Sequence, residues 1–192
     1  MPRKTWRIRD GAADDLPALV RLDTTIDTTW QLRLVREGSD DDLRLTLSWS
    51  KSFEPSTRRL EHSVASLTED LTSSSAFIVA ERQGTPVAFC MVGTNWNRTA
   101  EVLDIIVDAP SRKRGIGGAM LDRASAFARR GGLRAVQWEI QSDNRAAIDV
   151  ARRRGFRLAG YHDALYHNDG YEAQTRPGFR GLALFFTLPM EP

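Results

Sequence analysis

The stretch Ile105-Ile106-Val107-Asp108-Ala109-Pro110-Ser111-Arg112-Lys113-Arg114-Gly115-Ile116-Gly117-Gly118-Ala119-Met120-Leu121 decides how the chain is read. It passes from a β-branched run, through a short basic loop with glycines, into a segment whose apolar residues recur at helical spacing. A helix beginning near Gly115 leaves the N–H groups of its first turn unpaired, and its dipole adds partial positive charge there. Gly115 and Gly117 carry no side chain to hold an anion away from the backbone. Arg112, Lys113 and Arg114 add charge at the rim, so the segment predicts a phosphate site. A mononucleotide or a dinucleotide could use the same device. The patterns Gly-x-x-x-x-Gly-Lys-Ser/Thr and Gly-x-Gly-x-x-Gly are absent.

Outward from this loop the spacing predicts a helix over Gly115 to Arg130, ended by Gly131-Gly132, then a strand over Leu133 to Gln141 with Val136, Trp138 and Ile140 on one face. Asn144 to Arg154 reads as a second helix stopped by Gly155. Phe156 to Tyr166 and Leu182 to Leu188 read as closing strands. Upstream, Ala76 to Glu81, Val87 to Gly93 and Glu101 to Val107 form a predicted meander. Trp6 to Arg9 is a first strand, Ala13 to Leu22 a helix, Thr29 to Arg36 with Leu43 to Trp49 a hairpin, and Pro55 to Leu67 a helix. The alternation of strands and helices over residues 101 to 166 calls for a parallel pair at the centre of an α/β sheet, each helix being a crossover. Asn168 to Phe179 is long and polar enough for a lid.

The chain has 192 residues, 41% of them apolar, which suits a single domain over residues 1–192. Its 27 basic and 25 acidic residues leave a net charge of +2, against a dedicated nucleic-acid binder. Only Lys4, Lys51 and Lys113 are lysines, which points to a GC-rich bacterial genome. The single cysteine, Cys90, lies in an apolar run and reads as an inert core thiol. His62, His162 and His167 show no ligand spacing, so no metal is expected. No apolar leader or membrane-length run is present, and the expected location is cytoplasmic.

The segment Arg112-Lys113-Arg114-Gly115-Ile116-Gly117, with its strand before and helix after, resembles the Arg/Gln-x-x-Gly-x-Gly/Ala coenzyme A signature of the Gcn5-related N-acetyltransferase (GNAT) superfamily. Glu139-Ile140-Gln141-Ser142-Asp143-Asn144-Arg145, followed by Arg154-Gly155-Phe156, resembles its second element. Within the superfamily, residues 95 to 188 are most similar to the streptothricin (nourseothricin) acetyltransferases, through Trp96-Asn97-Arg98, Trp138-Glu139 and Asp163-Ala164-Leu165-Tyr166. The resemblance implies a mixed central sheet with a splayed parallel pair, helices on both faces and an extra N-terminal hairpin. It also implies acetyl-CoA as cofactor, held by Ile105, Ile106, Val107, Arg112, Lys113, Arg114, Gly115, Ile116, Gly117, Gly118 and Asn144. Asn144 equally suits a helix N-cap.

The implied reaction is acetyl transfer to a primary amine of a small basic molecule, of the streptothricin or aminoglycoside kind. Acetylation of a protein N-terminus or lysine, and non-catalytic acyl-CoA sensing, stay open, as does homodimerisation through the closing strands. An alkylamine with a pKa of about 10.4 must lose a proton before it attacks. The base position of the streptothricin enzymes holds Leu103 here, and Ala151 stands where many relatives have an acidic tyrosine. In an unbulged strand Glu101 shares the face of Leu103 while Asp104 points the other way, which favours Glu101 as base. A bulge would reverse the parity and favour Asp104. Tyr166, with Tyr161, is a candidate replacement acid; Glu139, Trp96 and Trp30 are candidate acceptor-binding residues, with Trp49 as a further aromatic. Arg152-Arg153-Arg154 reads as a solvated helix end.

Overall fold

The computed structural model describes residues 5–39, 41–51, 57–166 and 181–190. The predicted lid at Asn168 to Phe179 lies outside them. The strands are β1 (Arg7–Asp10), β2 (Ile26–Asp27), β3 (Trp30–Ser39), β4 (Asp42–Lys51), β5 (Thr57–Arg58), β6 (Ala76–Arg82), β7 (Thr85–Thr94), β8 (Thr99–Val107), β9 (Ala135–Gln141), β10 (Arg157–His162) and β11 (Ala183–Pro189). The helices are α1 (Leu16–Leu19), α2 (Val64–Ser73), α3 (Ile116–Arg130) and α4 (Arg145–Arg153). Seven strands form one sheet in the order β1-β6-β7-β8-β9-β11-β10. Only β8 and β9 are parallel neighbours, joined by the α3 crossover; β11 inserts antiparallel between β9 and β10. The expected mixed sheet with helices on both faces is thus the observed one.

Each face of the sheet has its own core. On one face Val102, Val136, Trp138 and Ile140 pack with Ile116, Met120 and Ala124 of α3 and Ile148 and Ala151 of α4. On the other Phe89, Met91 and Ile106 pack with Leu16 and Leu19 of α1 and Leu67 of α2. Strand alternation generates this division, since successive side chains point to opposite faces. The central strand β7 shows it from Ala88 on: Ala88, Cys90 and Val92 belong to the first core, Phe89 and Met91 to the second.

Two helices depart from their predicted bounds. The segment from Ala13 starts as a 3₁₀ turn at Ala13–Asp15 and continues as α only to Leu19, because Asp15 turns back to accept from the Ala12 N–H and from Arg9. The helix expected over Pro55 to Leu67 begins instead at Val64. Ser63 caps it, accepting from the Ser66 N–H at 3.0 Å while Ser66 Oγ accepts from the Ser63 N–H at 3.0 Å. Upstream of that cap, Thr57–Arg58 pairs with Ile26–Asp27, a short bridge with no periodic signal.

The predicted hairpin is present, with Trp30 opposite Lys51 and Ser39 opposite Asp42. Its base is fastened to the sheet by the Leu32 N–H donating to Ser142 O at 2.8 Å. The Arg145 guanidinium, at the first residue of α4, lies 5.0 Å from the ring centres of both Trp30 and Trp49. No helix among the described residues is long and apolar enough to cross a membrane.

At the sheet edge Glu81, with its side chain 5% exposed, accepts from Arg7 and Arg9, and Arg9 also donates to Asp15 at 2.6 Å. These guanidinium contacts hold the Asp15 and Glu81 carboxyls below their ordinary range. Glu81→Gln should lower the urea midpoint of unfolding, because it removes the charge that pairs with Arg7 and Arg9. Arg7→Ala, removing a side chain 76% exposed, should cost under about 1 kcal/mol.

Candidate active site

Val107 ends β8, and the chain passes through Asp108 and a 3₁₀ turn at Ala109–Ser111 before reaching Arg112. Lys113 (φ 59°) and Gly115 (φ 81°) are left-handed, which curls the loop and delivers Ile116 as the first residue of α3. A side chain at position 115 would be strained by roughly 1–2 kcal/mol in that conformation. No side chain caps α3. A Cβ on Gly115 would meet nothing within 4 Å, and one on Gly117 would meet only Val107 Cγ2 at 3.8 Å. The space in front of the helix start is therefore open, and its first-turn N–H groups face the room an anion needs.

The three basic residues of the loop divide their work. Arg112 turns inward: its Nε donates to Val107 O at 2.9 Å, and its Nη atoms donate to the carbonyls of Thr25 and Asp23. It staples the loop to the segment after α1, helped by the Asp23 N–H, which donates to Asp108 Oδ1 at 2.9 Å. Burial pulls the Arg112 pKa down, opposed by the charges of Asp23 and Asp108. Lys113 and Arg114 stay exposed at the rim. Gly118 has a packing role, since a Cβ there would sit 2.5 Å from the Arg154 guanidinium. Arg154 donates to Gly118 O at 3.1 Å and pairs with Asp122 at 3.2 Å, so it bridges α4 to α3 rather than ending a solvated helix. Asn144 caps α4, accepting from the Ala147 N–H at 3.1 Å.

Parallel pairing between β8 and β9 runs from Thr99 opposite Ala135 to Val102 opposite Trp138 and stops there. Beyond it β8 keeps pairing with β7 and β9 with β11, and the two central strands part. At the same level β8 is bulged. Val102 faces Val92 and Asp104 faces Met91, so Leu103 has no partner in the ladder. Side-chain parity reverses across the bulge: Val102 packs in the α3 core, yet Ile106, four residues on, packs in the α1–α2 core. Glu101, opposite Gly93, and Asp104, opposite Met91, consequently share the α1–α2 face. Glu139 joins them, since its neighbours Trp138 and Ile140 point into the α3 core.

The environments of these carboxyls differ. Desolvation pushes the Asp104 carboxyl up to about 7; the Ile105 N–H opposes this and the Asp70 charge adds to it. Its Oδ2 lies 3.6 Å from His62 Nε2. Burial also raises the Glu139 carboxyl, against the Tyr166 hydroxyl that donates to it and the Arg58 charge, while Glu101 raises it further. Tyr166 is itself raised by burial and by Glu139. Arg58 lies 3.9 Å from the fully buried Asp143.

The family model for the acetyltransferase (GNAT) family matches residues 42–156, more than half of the chain and all of the loop and both central strands. The chain belongs to the GNAT family. This GNAT acetyltransferase is 30% identical over 117 residues to the streptothricin acetyltransferase of Streptomyces lavendulae, covering 60% of this chain and 58% of that one. It is 36% identical over 86 residues to an uncharacterized N-acetyltransferase of Methanocaldococcus jannaschii, covering 42% and 38%. The matches thus span less than two thirds of either curated relative. Among solved structures, nourseothricin acetyltransferase superposes with a TM-score of 0.78 at 27% identity over 97% of this chain and 99% of that one. A Bacillus anthracis streptothricin-acetyltransferase candidate, solved in complex with acetyl coenzyme A, gives 0.77 at 20% identity over 98% and 99%.

Acetyl-CoA is the acetyl donor of this family, and the open cradle at Gly115 and Gly117, uncapped and flanked by Lys113 and Arg114, fits its pyrophosphate. Trp96 and Trp30, two of the sequence-selected acceptor residues, lie on different elements. Trp96, 96% exposed, sits on the turn before β8, at the end where Arg98 donates to Gly132 O behind α3. A strand of this length puts it on the order of 25 Å from the loop. Trp30 packs on Arg145. His62, Arg58 and Asp143 are the polar residues of this face that sequence reasoning missed. His62 and Arg58 come from a connection without a pattern, and Asp143 lies within the second family element but was assigned no role there.

Gly117→Val should fill the open cradle and abolish acetyl-CoA binding in calorimetry while leaving the circular dichroism spectrum unchanged; tight binding by the folded variant would move the cofactor site. Asp104 also makes stability depend on pH. Its folded pKa lies above the unfolded value of about 3.9, so the stability its protonated form contributes is full below that value and lost as pH rises through about 7. Asp104→Asn keeps the group neutral. The Tm of the variant relative to its parent should therefore rise between about pH 5 and about pH 8. A constant difference would mean the carboxyl is already ionised at the lower pH.

Proposed function

We propose that this acetyltransferase acetylates a primary amine of a small basic molecule, of the streptothricin or aminoglycoside kind, with Asp104 as the base. The observation that carries the reading is the bulge at Leu103, which turns Asp104 onto the same face as Glu101 and Glu139 where β8 and β9 part. When bound, acetyl-CoA supplies the acetyl group as an activated thioester. The first-turn N–H groups of α3, with Lys113 and Arg114, hold the pyrophosphate. The edge of β8 from Ile105 to Val107, which has no β9 partner, offers backbone donors to polarise a carbonyl. Asp104 takes the proton that the acceptor nitrogen loses. A carboxyl held near 7 is an efficient base at neutral pH, because its ionised fraction and its proton affinity are balanced there.

Glu101 stands where β8 and β9 are still paired, opposite Gln137, and so lies below the opening. Its charge, with that of Glu139, gives the acceptor face an acidic character suited to a cation. Glu139, oriented by the Tyr166 hydroxyl, is the proposed anchor for the cationic acceptor, and Tyr166 is the proposed donor to the departing sulfur. A protein that only sensed acyl-CoA would gain nothing from the cost of burying an ionisable Asp104 beside the opening. The resemblance to the streptothricin and nourseothricin enzymes supports the acceptor class.

A pH–rate profile with acetyl-CoA and a panel of amines tests the assignment. The parent kcat/KM should climb with pH through about 7, since the base must be ionised. Asp104→Asn should lower it by about 10²- to 10⁴-fold and remove that limb. Glu101→Gln should cost less than about tenfold. A large loss in the Glu101 variant with a near-normal Asp104 variant would reassign the base, and indifference in both would reduce the protein's part to positioning.

A further inference from the structure

His62 is held in place without a role in packing that needs a histidine. The Ser63 cap of α2 follows it, and the hydroxyl of buried Thr24 donates to the Leu60 carbonyl just before it, so the segment is pinned at both ends. The ring meets Phe89 edge-on, with centroids 5.9 Å apart and planes at 81°. Its Nε2 is buried, makes no hydrogen bond among the described residues, and points at Asp104 Oδ2 from 3.6 Å. That separation is just beyond hydrogen-bond reach and too short for an intervening water, so a small carboxylate rotation closes it. A buried ring nitrogen left unpaired costs free energy unless it is used.

We infer that His62 acts through Asp104: the bare Nε2 of its neutral ring accepts from the carboxyl the proton that Asp104 takes from the acceptor amine. The inference rests on Asp104 being the base. As the amine nitrogen bonds to the acetyl carbon, one N–H bond breaks and its proton goes to Asp104 Oδ2; His62 Nε2 then takes it, restoring the carboxylate. The proton on His62 passes to solvent, and Tyr166, the proposed donor to the departing sulfur, regains one from solvent; the proton lost by the neutral amine thus equals the one gained by the thiolate, and the dyad ends each turnover as it began.

The surroundings suit a proton that moves between the two. Burial lowers the His62 pKa and Asp70 on α2 raises it, while burial and the same Asp70 raise Asp104. Burial thus favours the neutral form of each partner. The other titratable groups about the pair are Glu101 on β8, Glu139 on β9 and Cys90 on β7. The Cys90 thiol is pushed far up by burial and stays protonated.

The test combines kinetics with a measurement on the protein free of acetyl-CoA. His62→Gln keeps a hydrogen-bonding side chain of similar reach but cannot accept a proton. It should lower kcat by about 10- to 100-fold with little change in the KM for acetyl-CoA. Because His62 acts through Asp104, the double variant His62→Gln, Asp104→Asn should be no slower than Asp104→Asn alone. In the free protein, the NMR titration midpoint of the His62 ring should move to lower pH in Asp104→Asn, which removes the facing carboxylate. Additive kinetic losses, or a His62 titration that Asp104→Asn leaves unmoved, would overturn the inference. A near-normal Asp104→Asn rate would instead remove the base assignment, and the NMR arm would still report whether the two groups are coupled.

Discussion

The separation of β8 from β9 after Val102 and Trp138 is the constraint on which the rest of the site depends. A parallel pair that stayed zipped would satisfy its own backbone groups and leave nothing for a ligand. Here each strand keeps its outer partner, β7 or β11, so the sheet remains whole while its centre opens. The α3 crossover leaves the end of β8 and returns to the start of β9, which sets the uncapped start of that helix at the mouth of the same opening. Phosphate cradle and strand separation thus meet within one β-α-β unit.

The bulge at Leu103 adds the chemistry. One residue without a partner reverses the parity of the strand beyond it, moving Asp104 and Ile106 to the α1–α2 face and leaving Ile105 and Val107 to pack toward α3. Leu103 itself lies over Gly93, where a Cβ would come within 3.3 Å of its methyl groups, so the glycine in β7 makes room for the extra residue. The result is a carboxyl buried beside α2 and raised to about 7, at a cost in stability above that pH. Such a cost is usual where a side chain must carry a proton, and Asp104 fits that pattern.

Around this centre the scaffold is held by cations used as structural parts. Arg112 binds three backbone carbonyls, Arg154 joins α4 to α3, Arg145 is stacked between Trp30 and Trp49, and Arg9 bridges Glu81 and Asp15. The planar guanidinium with its several donors suits each place, and a lysine could not reach the same set of partners. The abundance of arginine in this chain therefore has structural uses.

The amino-acid sequence by itself determined the features that arise within a few consecutive residues. The glycine loop, the start of α3, the Asn144 cap, the hairpin and the alternation of β9 were all legible, because φ preferences, capping and side-chain period act locally. The start of α2 was legible in principle, through Ser63 and Ser66, and was misplaced because the Leu60, Val64 and Leu67 spacing imitated a helix. What only the tertiary structure decided was which side chains meet. The parity of Asp104 depends on the register of β8 against β7, the inward turn of Arg112 on carbonyls almost ninety residues away, and the approach of His62 on a connection that carries no pattern. These are contacts between segments remote in sequence, where the position of a residue follows from the packing of the whole sheet and from no property of its neighbours in the chain.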